Sequence, residues 1–118
     1  MRTPKSISER RQSARIAQSL PFKIGGEGYE IAAVTVNISA HGALCVVDRA
    51  IPVMTRLRVA LTLPASKEKV IHATGVVVRN EPDPDSDKHF IALYFSQITP
   101  TDQKVLDHHI AQWLKLKS

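Results

Sequence analysis

Arg56-Leu57-Arg58-Val59-Ala60-Leu61-Thr62-Leu63 alternates with a period of two. Leu57, Val59, Leu61 and Leu63 fall on one face and Arg56, Arg58, Ala60 and Thr62 on the other. That is a strand with one face in a core and the other in water. Working outward, the same signature recurs at residues 20–24, 29–38 and 43–47 on the N-terminal side, and at 70–79 and 90–95 on the C-terminal side. These runs are short, rich in strand formers and separated by turn residues. Gly25-Gly26-Glu27-Gly28 supplies positive φ for a hairpin, and no helix follows it, so it does not read as a phosphate-cradling loop. Pro64-Ala65-Ser66-Lys67 breaks the chain after Leu63. Residues 80–88, with two prolines and four acids, are expected to form an exposed loop.

The period changes near the C-terminus. Thr99 suits an N-cap, Pro100 the first helical position, and Asp102 follows Thr99 by three as in a capping box. Val105, Leu106, His109, Ile110, Trp113 and Leu114 recur at helical spacing and predict an apolar stripe that packs on the strands. Six short strands followed by one helix predict an all-β-dominated antiparallel barrel or sandwich carrying a C-terminal α-helix.

The chain has 118 residues, 43% of them apolar, which suits a single folded domain with a modest core and argues against general disorder. No run approaches the ~20 apolar residues that span a bilayer, and Arg2, Pro4, Lys5, Ser6 and Ser8 do not make a secretory leader. No membrane insertion and a cytoplasmic location are therefore expected. One cysteine, Cys45, excludes an internal disulfide framework and reads as a small buried strand residue. The net charge of +5 is concentrated: Arg2, Lys5, Arg10, Arg11 and Arg15 against Glu9 give the first fifteen residues a net +4. Such asymmetry predicts an anionic partner at the N-terminus.

Two polar motifs carry the functional signal. Arg11-Gln12-Ser13-Ala14-Arg15 precedes the first strand, and Asn37-Ile38-Ser39-Ala40-His41-Gly42 lies 21 residues after it, where one strand ends and the next begins. Together they resemble the R-x-x-x-R and [DN]-x-S-x-x-G signature of the PilZ domain, a family of bacterial receptors for cyclic di-GMP. The resemblance covers nearly the whole chain. It implies a six-stranded antiparallel barrel with a C-terminal helix, divided into a mobile basic tail (1–8), an arginine-bearing arm (9–19), the barrel (20–98) and the helix (99–117). It also implies a ligand site made of Arg10, Arg11, Arg15, Asn37, Ser39 and Gly42, with an arm that folds over the ligand, and a downstream protein effector. One departure is Ala92, where the family often carries glycine before an aromatic.

The residue chemistry agrees with such a ligand. Arginine donates two parallel hydrogen bonds to guanine O6 and N7, stacks on bases and neutralises phosphate. Asn37 offers an amide oxygen to guanine N–H groups, Ser39 a hydroxyl, and Gly42 a turn without Cβ. No cofactor, metal or catalytic residue is expected: there is no nucleophile elbow and no P-loop, and the five histidines lack metal-ligand spacing. Binding of single-stranded nucleic acid is the competing reading. It wants aromatic platforms among the basic residues, and only Phe22 and Tyr29 lie near them, so nucleic acid is disfavoured. A ligand-independent protein adaptor is the third reading; the intact motifs count against it.

Overall fold

The computed structural model describes residues 14–64 and 69–117, the last of these by its backbone only. Six strands form: β1 (Pro21–Gly26), β2 (Tyr29–Ser39), β3 (Gly42–Val47), β4 (Arg56–Leu63), β5 (Lys69–Pro82) and β6 (His89–Ile98). They close in the order β1-β2-β3-β6-β5-β4, every pairing antiparallel, with β4 returning to β1. Closure leaves no unpaired sheet edge. The helix α1 (Pro100–Lys117) follows β6 directly.

The alternation in β4 fills the barrel as expected: Leu57, Val59, Leu61 and Leu63 are buried beside Phe22, Ile24, Ile31 and Ile71. Cys45 is buried among them, and desolvation pushes its thiol up to about 12, as for an inert core residue. The β1–β2 turn places Gly28 at φ 78°, the left-handed region that glycine enters without a Cβ clash.

Residues 80–82, expected in the loop, instead extend β5. Asn80, Glu81 and Pro82 pair with Ile91, Phe90 and His89. The pairing tolerates Pro82 because it is the last residue of its strand, and Glu81 because its side chain points to water beside Arg79. The turn itself is residues 83–88, closed by the Asp83 N–H donating to the Lys88 carbonyl at 2.9 Å.

Three register shifts interrupt the ladders. They leave Val36 in β2, Val78 in β5 and Ser96 in β6 without an opposite residue. The first reorganises the region around it. Ile31, Ala33 and Thr35 face inward, and strict alternation would turn Asn37 inward as well. The extra residue reverses the parity: Val36 and Asn37 both face outward and Ile38 becomes fully buried.

From Ala14 onward the arm is packed on the barrel. Ile16 and Leu20 are buried, and Ile16 exchanges backbone hydrogen bonds of 2.8 and 3.0 Å with Ile38. Thr35, 1% exposed, holds the rest: its hydroxyl donates to the Gln18 carbonyl at 2.6 Å and accepts the Leu20 N–H at 2.9 Å. The earlier part of the arm, with Arg10 and Arg11, lies outside the described residues.

The helix begins as expected, with Thr99 Oγ1 accepting the Asp102 N–H at 3.1 Å. The Asp102 carboxylate does not complete a capping box; it accepts the His72 N–H of β5 at 3.1 Å and so docks the helix on the barrel. Only Leu106 and Ile110 of the predicted stripe are buried; Val105, His109 and Trp113 are half-buried and Leu114 is exposed. His109 Nε2 lies 2.7 Å from Gln18 Oε1, tying helix to arm.

Two predictions test this architecture. Thr35→Val strands the Gln18 carbonyl and Leu20 N–H without their partner, and urea unfolding should register a loss of about 1–3 kcal/mol. Burial, then the neighbouring His108, lowers the His109 pKa below its ordinary 6.5. The unfolded chain therefore takes up that proton first, so His109 contributes a stability loss as pH falls through 6.5 toward the lower folded value. Thermal melts of His109→Gln between pH 7 and 5 should fall less steeply than those of the parent chain.

Candidate functional site

The outward turn of Asn37 matters because Arg15 is there to meet it. Arg15 Nη1 donates to Asn37 Oδ1 at 2.9 Å, joining the two sequence motifs. The residues that set this contact are apolar: Ile16, next to Arg15, and Ile38, next to Asn37, pair with each other in the core. Arg15 uses one of its five N–H donors on Asn37 and is itself exposed, so its remaining donors face the surface.

Beside this pair is an open depression of about 540 Å³. Arg15, Ser39, His41 and Gly42 line one side, and Val78, Ala92 and Tyr94 the other. Four strands, β2, β3, β5 and β6, meet there. The β2–β3 turn supplies the polar wall, and the unpaired Val78, pushed out by its bulge, supplies part of the apolar one. Such a shape, cationic at the rim and apolar along one wall, suits a flat anionic ligand.

The second motif proves to contain two kinds of residue. Asn37 presents its side chain outward, whereas Ser39 and Gly42 hold the turn. Ser39 is 3% exposed; its hydroxyl donates to the Gly42 carbonyl at 3.4 Å and accepts the His41 N–H at 3.3 Å. Gly42 does not take a positive φ, so the expected tight-turn reason for glycine does not apply. Its Cβ position is occupied by the Leu93 carbonyl oxygen of β6, and only glycine lets β3 approach β6 this closely. The turn is clamped from two further directions: the Phe95 N–H donates to the His41 carbonyl at 2.8 Å, and Gln103 Nε2 of α1 donates to the Ala40 carbonyl at 3.0 Å.

Of the six residues expected at the site, Arg15, Ser39 and Gly42 line the depression and Asn37 adjoins it through Arg15. Arg10 and Arg11 lie outside the described residues. Sequence reasoning missed Val78, Ala92 and Tyr94. Ala92, noted in the sequence only as a departure from the family's usual glycine, is part of the wall; it pairs with Leu44 of β3 on one side and Arg79 of β5 on the other. Tyr94, 52% exposed on a barrel strand, is a signal readable only once its face is known.

Elsewhere, a depression of about 440 Å³ between Leu63, Lys69 and the Val105–His108 side of α1 contains none of the motif residues. Among the described residues, no group of three or more His, Cys, Asp or Glu side chains gathers to hold a metal, and no helix is long and apolar enough to cross a membrane.

Comparison with known proteins agrees with the sequence signature. The family model described as "PilZ domain" matches residues 9–112. Among solved structures, the inhibitor of motility MotI/DgrA of Bacillus subtilis is 32% identical with a TM-score of 0.79; the match covers 90% of this chain and 52% of that one. This chain thus spans about half the length of that relative. The PilZ domain of YcgR from Escherichia coli, solved with c-di-GMP, has the same fold at 15% identity and a TM-score of 0.65, over 92% of this chain and 93% of that one. No curated protein sequence matches the chain.

Gly42→Ala should force β3 and β6 apart at Leu93. The expected loss is about 1–3 kcal/mol in urea unfolding, and wild-type stability in this variant would mean that the close approach is not required.

Proposed function

Because this chain belongs to the PilZ domain family, we propose that it is a cytoplasmic cyclic di-GMP receptor and adaptor module rather than an enzyme. The observation that carries the reading is the Arg15–Asn37 contact at the rim of the depression formed by the second motif and the Val78–Ala92–Tyr94 wall. Cyclic di-GMP has two guanine bases and two phosphodiesters, each with one negative charge. Arg15 offers a planar fork to guanine or phosphate, and Asn37 an amide that can turn from Arg15 to a base edge. The apolar wall suits the face of a base.

Arg10 and Arg11 complete the cationic set in this proposal. Since the arm from Ala14 onward is already held by Ile16 and Thr35, the step that ligand drives is assigned to the residues before Ala14. Ordering that segment costs conformational entropy; charge neutralisation and guanine hydrogen bonds offset it. The closed arm and the barrel then present a joint surface to a downstream protein effector. The half-chain coverage of MotI/DgrA makes its motility role a property of that protein, and the effector here is left as a protein whose docking depends on ligand.

Isothermal titration of cyclic di-GMP, with GTP and a short single-stranded oligonucleotide as comparators, tests the reading. Saturable binding selective for cyclic di-GMP is expected, weakening as salt rises. Arg15→Ala and Arg11→Ala should each weaken it by about 1–3 kcal/mol, roughly 5- to 150-fold, with the melting curve unchanged. Heat from the oligonucleotide alone would overturn the proposal in favour of nucleic-acid binding, and silence from all three in favour of a ligand-independent adaptor.

A further inference from the structure

A second cleft, of about 440 Å³, opens where β4 ends and β5 begins, and no motif residue lines it. Leu63 and Lys69 face each other across the last rung of the β4–β5 ladder, and one side of α1 forms the opposite wall. Lys104, His108 and Gln112 recur every four residues along that wall, which puts them on one helix stripe. Buried Leu63, half-buried Val105 and exposed Pro64 give the cleft an apolar lining, and Leu63 belongs to the barrel core.

Every titratable side chain that lines the cleft is a base: Lys69 from β5, and Lys104, His108 and His109 from α1. Among the described residues, neither lysine has a salt-bridge partner. The acids of α1 are engaged elsewhere, Asp102 accepting the His72 N–H and Asp107 accepting from Gln103. His109 is committed to Gln18, and His108 Nε2 lies 3.4 Å from Gln112 Nε2. Two unpaired ammonium groups therefore flank an apolar cleft, one from the barrel and one from the helix.

We propose that this cleft binds a small amphiphilic carboxylate, with its head at Lys69 and Lys104 and its hydrocarbon body along Leu63, Pro64 and Val105. Three features select this class of ligand. The volume lies within the roughly 300–1,000 Å³ of small-molecule sites, which favour the mouths of barrels. The charge comes from lysines, compact cations that suit a carboxylate, and the lining has neither an arginine fork nor an aromatic ring for a nucleotide base. The apolar lining rewards a body that a bare ion lacks. The inference needs no cyclic di-GMP and is independent of the receptor reading.

Isothermal titration of octanoate into the full ligand-free chain tests it, with octan-1-ol, acetate and anionic phospholipid vesicles as comparators. Saturable binding of octanoate is expected, roughly tenfold or more tighter than octan-1-ol, which lacks the charge, or acetate, which lacks the body. Affinity should rise from butanoate through hexanoate to octanoate, by up to roughly fourfold for each methylene that enters the cleft. Lys69→Gln and Lys104→Gln should each weaken octanoate by roughly three- to tenfold. Both side chains are exposed, so these variants should keep the parent melting curve. No octanoate binding, or equal affinity for octan-1-ol, would overturn the proposal. Octanoate binding unchanged in both lysine variants would place the contact on another surface and overturn it as well. Vesicle binding without octanoate binding would assign the lysines to a membrane surface instead, and acetate as tight as octanoate would reduce the site to an adventitious ion only.

Discussion

The site depends on one extra residue in β2. A strand presents alternate side chains to opposite faces, and the unpaired Val36 resets that alternation between Thr35 and Ile38. On the core side of the reset, Thr35 holds the Gln18 carbonyl and the Leu20 N–H. Beyond it, Ile38 enters the core and pairs with Ile16, and Asn37 is left facing outward where Arg15 arrives. With unbroken alternation Asn37 would face the core and Ile38 the water. Each would be costly, a buried amide without partners on one side and an exposed isoleucine on the other.

The signature therefore combines two duties. Arg15 and Asn37 project from the surface and bond to each other there. Ser39 and Gly42 act through the backbone: one satisfies the turn's polar groups, and the other removes the only atom that would keep β3 from β6. The turn is also bonded to β6 through the His41 carbonyl and to α1 through Gln103. A turn held in this way is preorganised, which in the proposed receptor would lower the cost of binding.

The same barrel geometry distributes the rest of the surface. Bulges at Val78 and Val36 bring apolar side chains out near the polar motif residues, and Val78 lines the depression with Ala92. The motif residues and the depression lie on the β2, β3, β5 and β6 side of the barrel, while β1 and β4 turn Lys23, Arg56 and Arg58 to water.

The strands, the helix and the family were legible in the sequence, because each rests on local information: the alternation of residues 56–63, the Thr99 cap, the two motifs and their order. Strand ends were less legible. Residues 80–82 read as loop from their prolines and acids, yet they pair, since a terminal proline needs no donor and an outward glutamate no burial. Tertiary structure alone decided which way Asn37 points, why position 42 must be glycine, and that Val78, Ala92 and Tyr94 line the same depression as Arg15. These facts follow from bulge position and from strand-to-strand register, and register is fixed by pairing residues distant in the chain, which composition and spacing along one segment do not encode.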